Sequence, residues 1–214
     1  MIKCLITRPD HDKVTSYLFQ WSKEIISSKY PEDIQFLDLR GVNANRGKVE
    51  SYLKKQNPRV VLFNGHGSDI AIYGFKDQPL IELEKNEELL KGKIIYSLSC
   101  SSAKALGVAA IEKGTETFIG YINSFVIYTD VDREATPLKD NMAASFLNPS
   151  NKLSISLLKG NTAQEASNKS KEEFKKEIKK FLIGNSISGS DRIATALFWD
   201  LNSQVVLGNP DAEI

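Results

Sequence analysis

The chain has 214 residues, of which 41% are hydrophobic and 26% charged, with a net charge of +1. That balance fits one globular domain with a full core and excludes a disordered chain, and near-neutrality excludes a dedicated nucleic-acid or membrane-surface binder. No run approaches the roughly 20 apolar residues of a bilayer span, the first apolar run meets Arg8 and Asp10 too early for a secretory leader, and two cysteines make no disulfide framework; the expected compartment is the reducing cytoplasm.

Lys3–Thr7 reads as a short apolar strand broken by Pro9, with Asp10 or Asp12 available to cap a following helix. Val14, Leu18, Trp21 and Ile25 form that helix's apolar stripe. Ile34–Leu39 is a second strand, residues 41–47 a loop, and a second helix with Val49 and Leu53 inward runs to about Gln56, stopped by Pro58. Arg59–Phe63 is the third strand and ends on Asn64-Gly65-His66-Gly67-Ser68. The βαβαβ order predicts a parallel sheet with right-handed crossovers. Residues 69–91 read as a small hairpin or loop followed by a short acidic helix near Ile81–Leu90, and Lys93–Leu98 is the fourth strand, ending at Ser99-Cys100.

A helix from about Ser102, with Leu106 and Ile111 inward, ends at Gly114. Thr117–Tyr121 is the fifth strand, with a continuation or hairpin through Phe125–Tyr128. Asp130–Asp140 is the most polar connection and a candidate division of the domain into two parts. Thr136-Pro137 reads as the start of a helix ending before Pro149, and Leu153–Leu158 as a further helical stretch to Gly160. Thr162 and Glu165 form a capping box for a lysine-rich helix with Phe174, Ile178 and Phe181 or Leu182 inward, ending at Gly184. Residues 184–190 read as a loop, Asp191 as the cap of a helix through Trp199, and Gln204–Leu207 as the last strand.

Only two histidines and two cysteines are present. His66 and Cys100 both lie just past the carboxyl ends of expected parallel strands, where open α/β sheets build their sites. A thiol is only a few per cent ionised at pH 7, and an imidazole beside it supplies the missing base. Gly67 lets backbone approach a substrate, and its N–H with that of Cys100 would form an oxyanion hole. The plain alternative is a buried, inert strand-end cysteine beside an ordinary glycine turn. Cys4 reads as core, His11 as a surface residue at a helix start, and Trp21 and Trp199 as packing anchors. The Lys169–Lys180 run reads as a solvated helix face, and Asn64 as a turn former. No His/Cys/Asp set has metal-ligand spacing, no phosphate loop occurs, and no cofactor is expected.

Strand–GHGS, strand–SLSC, a strand ending FIGY and a late strand running into VVLGNP together resemble the clan CD cysteine peptidases, which include caspases, gingipains, clostripain, legumain, separase and bacterial CHAT domains. The likeness spans Lys3 to Pro210. The Gln-Ala-Cys signature of caspases is absent, and the 34-residue interval from His66 to Cys100 is shorter than the ~50 of caspases, so the gingipain–CHAT arm is the better match. The resemblance implies a three-layer α/β/α caspase-like sandwich whose six core strands lie in the order 2-1-3-4-5-6, the last antiparallel. It implies a cysteine endopeptidase with His66 and Cys100 as the dyad and Gly67 and Cys100 as the oxyanion hole. Its substrate pocket would draw on Arg8, Asp10, His11 and Asp12, then Asn123, Ser124, Asp130 and Asp132. Acids outnumber bases there, which favours cleavage after Lys or Arg; Arg8 in the pocket would favour acidic residues instead. Asp130, Asp132 and Arg133 are candidate self-processing positions.

A protein or peptide substrate is thus expected, with neither nucleic acid nor membrane as partner. The alternative from another class is a catalytically latent caspase-like module switched by an activating or inhibitory protein partner. A flavodoxin-like ligand binder also fits the βαβ opening, but it leaves His66 and Cys100 without a role.

Overall fold

The structure is a computed structural model and describes residues 1–183 and 189–214. The chain opens with β1 (Ile2–Arg8), α1 (Lys13–Trp21) and α2 (Lys23–Ser27), then β2 (Ile34–Arg40), α3 (Arg46–Gln56) and β3 (Val60–Asn64). A hairpin of β4 (Ala71–Tyr73) and β5 (Pro79–Glu82) precedes β6 (Ile94–Leu98), α4 (Leu106–Glu112) and β7 (Thr117–Tyr121). Three helices, α5 (Asn141–Leu158), α6 (Ala163–Ile183) and α7 (Ser190–Ser203), lead into β8 (Gln204–Gly208). Six strands form one sheet in the order β2-β1-β3-β6-β7-β8. All its pairings are parallel except that of β7 with β8. This is the expected α/β/α sandwich.

Its three layers follow from the two-residue period of the strands. Cys4, Ile6, Val60, Leu62, Ile94, Tyr96, Leu98, Ile119 and Tyr121 face one way and pack with Leu18, Ile25, Leu147, Leu153 and Ala166 of the α1, α2, α5 and α6 layer. Leu5, Val61, Phe63, Ile95 and Phe118 face the other way and pack with Val49 and Leu53 of α3 and Leu106 of α4. A smaller core of Phe146, Phe174, Ile193 and Leu197 joins α5, α6 and α7. No helix among the described residues is long and apolar enough to cross a membrane.

Several local expectations change. The first helix breaks at Ser22, whose Oγ accepts a 2.9 Å hydrogen bond from Arg8 Nε. The acidic stretch is mostly not helical: Pro79–Glu82 is the second strand of the hairpin, and only Glu87–Leu90 winds, as a 3-10 turn. Thr136-Pro137 opens one 3-10 turn, and α5 starts later, capped by Asp140. It then runs straight through Pro149. A proline inside a helix costs about 3 kcal/mol, but α5 buries most of its residues, among them Phe146, Leu147, Leu153, Leu157 and Leu158, and this burial outweighs the loss.

Phe125–Tyr128 is not a strand either. The outer edge of β7 is already paired by β8, so these residues have no edge to join. The α7 helix begins at Ser190, with Asp191 in its first turn rather than at the cap, and continues past Trp199. Trp199 is 47% exposed and anchors through its indole N–H, which donates to Ser124 O, rather than by burial. The expected Gly184 helix end and most of the 184–190 loop lie outside the described residues. The lysines of α6 pair with its own acids, Lys175 with Glu172 and Lys176 with Glu173, as a solvated face requires. Gly208 and Asn209 meet Glu116 at the start of β7, at the opposite end of the sheet from Cys100.

Candidate active site

Strand register brings His66 and Cys100 together. In the β3–β6 ladder Val60 pairs with Ile94 and Asn64 with Leu98. The offset is the same 34 residues that separate His66 from Cys100, so the register carried two residues further directs both toward one face. That face is the one covered by α1. His66, Ser99 and Cys100 line a cavity of about 130 Å³ with Val14 and Leu18 of α1 and with Phe125 and Ile127.

Backbone geometry draws this end of the sheet tight. Cys100 sits at a sharp turn, with Ser101 next to it in the left-handed region at φ 54°. Such a conformation costs on the order of 1 kcal/mol and is typical of functional turns. The turn is held by Ser101 N–H donating to Asn123 O and Ala103 N–H donating to Tyr121 O. Cys100 Sγ lies 3.8 Å from Phe125 O. Among the described residues, neither the Gly67 nor the Cys100 amide donates a hydrogen bond. Asn64 is buried and does more than turn the chain: its Nδ2 donates to Thr7 O at 3.0 Å, tying β3 to β1.

Gly67 is packed against the thiol's own backbone. A Cβ at this position would lie 2.6 Å from Cys100 O and 2.8 Å from Ser99 Cβ. Gly67→Ala should therefore lower stability by about 1–3 kcal/mol, the usual cost of overpacking, and should displace Cys100. An unchanged urea midpoint would contradict this tight fit.

His66 has an unexpected companion. Its Nε2 lies 2.6 Å from Asp12 Oδ2. Asp12 is also the cap of α1, in a capping box with Thr15. Burial alone would raise the Asp12 carboxyl, but hydrogen bonds from Thr15 N–H, His66 and Thr15 Oγ1 and the nearby imidazole outweigh it and hold the group below its ordinary range. An ionised Asp12 only accepts, so His66 donates from Nε2, and in the neutral ring that leaves Nδ1 as an acceptor. Linear spacing gave no sign of this pair.

The second histidine is no surface residue. Its side chain is 10% exposed and its ring meets Phe75 edge-on at 5.6 Å and His66 at 6.1 Å. His11 Nε2 lies 3.5 Å from Asp12 Oδ2 and 3.4 Å from Asp77 Oδ1. One ligand-capable atom from each of His11, Asp12, His66 and Asp77 falls within 4.8 Å of all the others. No regular sequence spacing links these four positions, although their chemistry is that of a metal-ligand set.

The expected substrate residues divide. Arg8 points inward: it is buried, donates to Ser22 Oγ and Phe19 O, and pairs with Asp38 at 2.9 Å. A guanidinium with its partners inside the fold is not free to meet a substrate. Asp10 and Asp12 line a separate cavity of about 450 Å³ with Lys13, Tyr17 and Glu134, and Lys13 pairs with Glu134. Asn123 and Ser124 lie beside the Cys100 turn but use their polar groups on α7, Asn123 Nδ2 donating to Ser203 Oγ and Ser124 O accepting from Trp199. Asp130 faces another cavity with Arg133 and Lys139, while its N–H donates to Asp140 Oδ2. Cys4 is fully buried, which pushes its thiol far up from the ordinary value. No protein-family model matches this chain and no curated protein matches it, so the geometry of the site carries the functional reading.

Proposed function

We propose that the protein is a cysteine endopeptidase with Cys100 as nucleophile and His66 as base. The observation that carries the reading is that both side chains line one cavity at the carboxyl ends of adjacent parallel strands. In the reaction, His66 Nδ1 takes the thiol proton and Cys100 Sγ attacks the peptide carbonyl. The amides of Gly67 and Cys100 hold the oxyanion. Each such donor is worth roughly 3 kcal/mol in the transition state. His66 then returns the proton to the leaving amine, and water releases the acyl group. Asp12 acts as a positioning residue that holds the imidazole in the required tautomer.

The clan CD resemblance supports the same assignment. The preference for Lys or Arg rests on the resemblance and on Asp10, which is exposed in the cavity reached through Asp12 rather than in the one beside Cys100. The test is covalent labelling by a chloromethyl ketone of a short peptide ending in arginine, followed by mass mapping. Cys100 should carry the label and the buried Cys4 should not. A folded, reduced protein that takes no label from basic, acidic or apolar peptide reagents would overturn the reading of a peptidase active on its own.

One observation favours a latent form. The cavity beside Cys100 is about 130 Å³, below the roughly 300 Å³ at which ligand pockets begin. A partner that draws Phe125 and Ile127 away from α1 would enlarge it. In that case label at Cys100 appears only with the partner present.

A further inference from the structure

We propose that His11, Asp12, His66 and Asp77 form a binding site for a divalent transition ion of the Zn²⁺ type. The ligands come from three separate parts of the chain. His11 and Asp12 lie on the loop between β1 and α1, His66 follows β3, and Asp77 sits on the β4–β5 hairpin. Their ligand atoms, His11 Nε2, Asp12 Oδ2, His66 Nε2 and Asp77 Oδ1, are separated by 2.6, 3.4 and 3.5 Å at the three close contacts. A tetrahedral zinc with bonds of about 2.1 Å spaces its ligands about 3.4 Å apart. Two of the six ligand spacings thus already match, all six lie within 4.8 Å, and the His66–Asp12 contact has to open by less than an ångström to admit the ion.

The donor set selects the metal. Two imidazoles and two carboxylates suit zinc and its neighbours, whereas calcium and magnesium take oxygen ligands. The supports of the ligands are also in place. His11 is held between the Phe75 and His66 rings, and its Nδ1 lies 3.5 Å from Thr15 Oγ1, the kind of partner that orients a ligating imidazole. Asp77 is brought to His11 by consecutive left-handed residues, Lys76 at φ 53° and Asp77 itself at φ 55°. The hairpin carrying them is pinned by Phe75 N–H donating to Ala44 O at 2.8 Å. The 450 Å³ cavity lined by His11 and Asp12 provides an entry path.

Four protein ligands close a tetrahedron and leave no open position, which marks a structural or regulatory ion rather than a catalytic one. The regulatory consequence rests on the peptidase reading above. Coordination through His66 Nε2 moves the imidazole proton to Nδ1, where it can no longer accept the proton of Cys100. The ion would therefore hold the enzyme off.

The site itself is tested without any activity measurement. The full chain, treated with chelator and dialysed, is titrated with Zn²⁺ against a chromophoric competitor, and with Co²⁺ for the visible bands of tetrahedral coordination. One ion per chain is expected, with affinity falling about tenfold or more in each of His11→Ala and Asp77→Asn. Asp77 is 63% exposed, so Asp77→Asn keeps the test open even if His11→Ala does not fold. The site is overturned if the chain binds no ion, or if a folded variant binds as tightly as the parent. A second measurement isolates the regulation: Zn²⁺ should slow alkylation of Cys100 by iodoacetamide in the parent and not in His11→Ala. Binding with no change in alkylation overturns the regulation and leaves the site standing. Peptide labelling in metal-free protein judges the peptidase reading separately.

Discussion

Cys100→Ala should abolish peptide cleavage, a loss of about 10⁴-fold or more, while changing the melting temperature little. The thiol is half-buried, and its contact within the fold is with Phe125 O at 3.8 Å, a weak bond whose removal costs little. A nucleophile, by contrast, is irreplaceable, because the acyl intermediate forms on that atom. Cys100→Ser sharpens the experiment. It keeps the shape and a donor toward Phe125 O but replaces the thiol with a hydroxyl, a far weaker acid and nucleophile, and it should be nearly as inactive. If Cys100→Ala cleaves a peptide as fast as the parent, the proposed dyad is wrong and the cleavage belongs elsewhere in the molecule. Cys4→Ala serves as the control: that thiol is sealed in the core, so its loss should cost stability and spare activity.

Asp200→Asn should stabilise the protein at alkaline pH and not in acid. Asp200 is fully buried on α7; its Oδ1 accepts from Val126 N–H at 2.9 Å, and its Oδ2 has no partner among the described residues. Burial raises its pKa to about 8, against the lowering effect of the Val126 N–H. In the unfolded chain the same carboxyl titrates near its ordinary value of about 4. Below about pH 4 both states hold the proton and the group has no effect. As pH rises to 8 the unfolded state releases it and the folded state does not, so stability falls through this window and levels off above it. The loss is on the order of 5 kcal/mol, or roughly 10–20 °C in melting temperature for a domain of this size.

Asparagine cannot ionise, yet it still accepts from Val126 N–H. The difference in melting temperature between Asp200→Asn and the parent should grow from pH 5 to pH 8, and parallel curves would refute the argument. The effect reaches the candidate site. Trp199, Asp200 and Ser203 of α7 each bond the 123–126 loop, whose Phe125 forms the cavity wall beside Cys100. Ionisation of Asp200 should loosen that wall.

The sheet was legible in the sequence because its strands state their own environment. In Val60–Phe63, alternate residues feed the two opposite cores, so a run apolar on both faces could only be an interior parallel strand. The positions of His66 and Cys100 followed from where those runs end. Segments whose fate depends on a competitor misread. Phe125–Tyr128 has strand composition but lost its edge to β8, more than seventy residues later in the chain. Pro149 signals a helix end, yet α5 passes through it because burial on both sides costs more to give up than one hydrogen bond.

The candidate site divides along the same line. By itself the sequence determined the strands, their parallel βαβαβ opening and the two strand ends that carry His66 and Cys100, since periodicity and strand-end chemistry are local properties of a chain; the full strand order was implied by the family resemblance. Tertiary structure alone decided what surrounds them. It turned Arg8 inward to Asp38, gave Asp12 to His66, and gathered His11 and Asp77 from positions 66 residues apart. No local pattern encodes such a meeting, because it depends on where a loop and a hairpin come to rest once the cores on both faces of the sheet have closed.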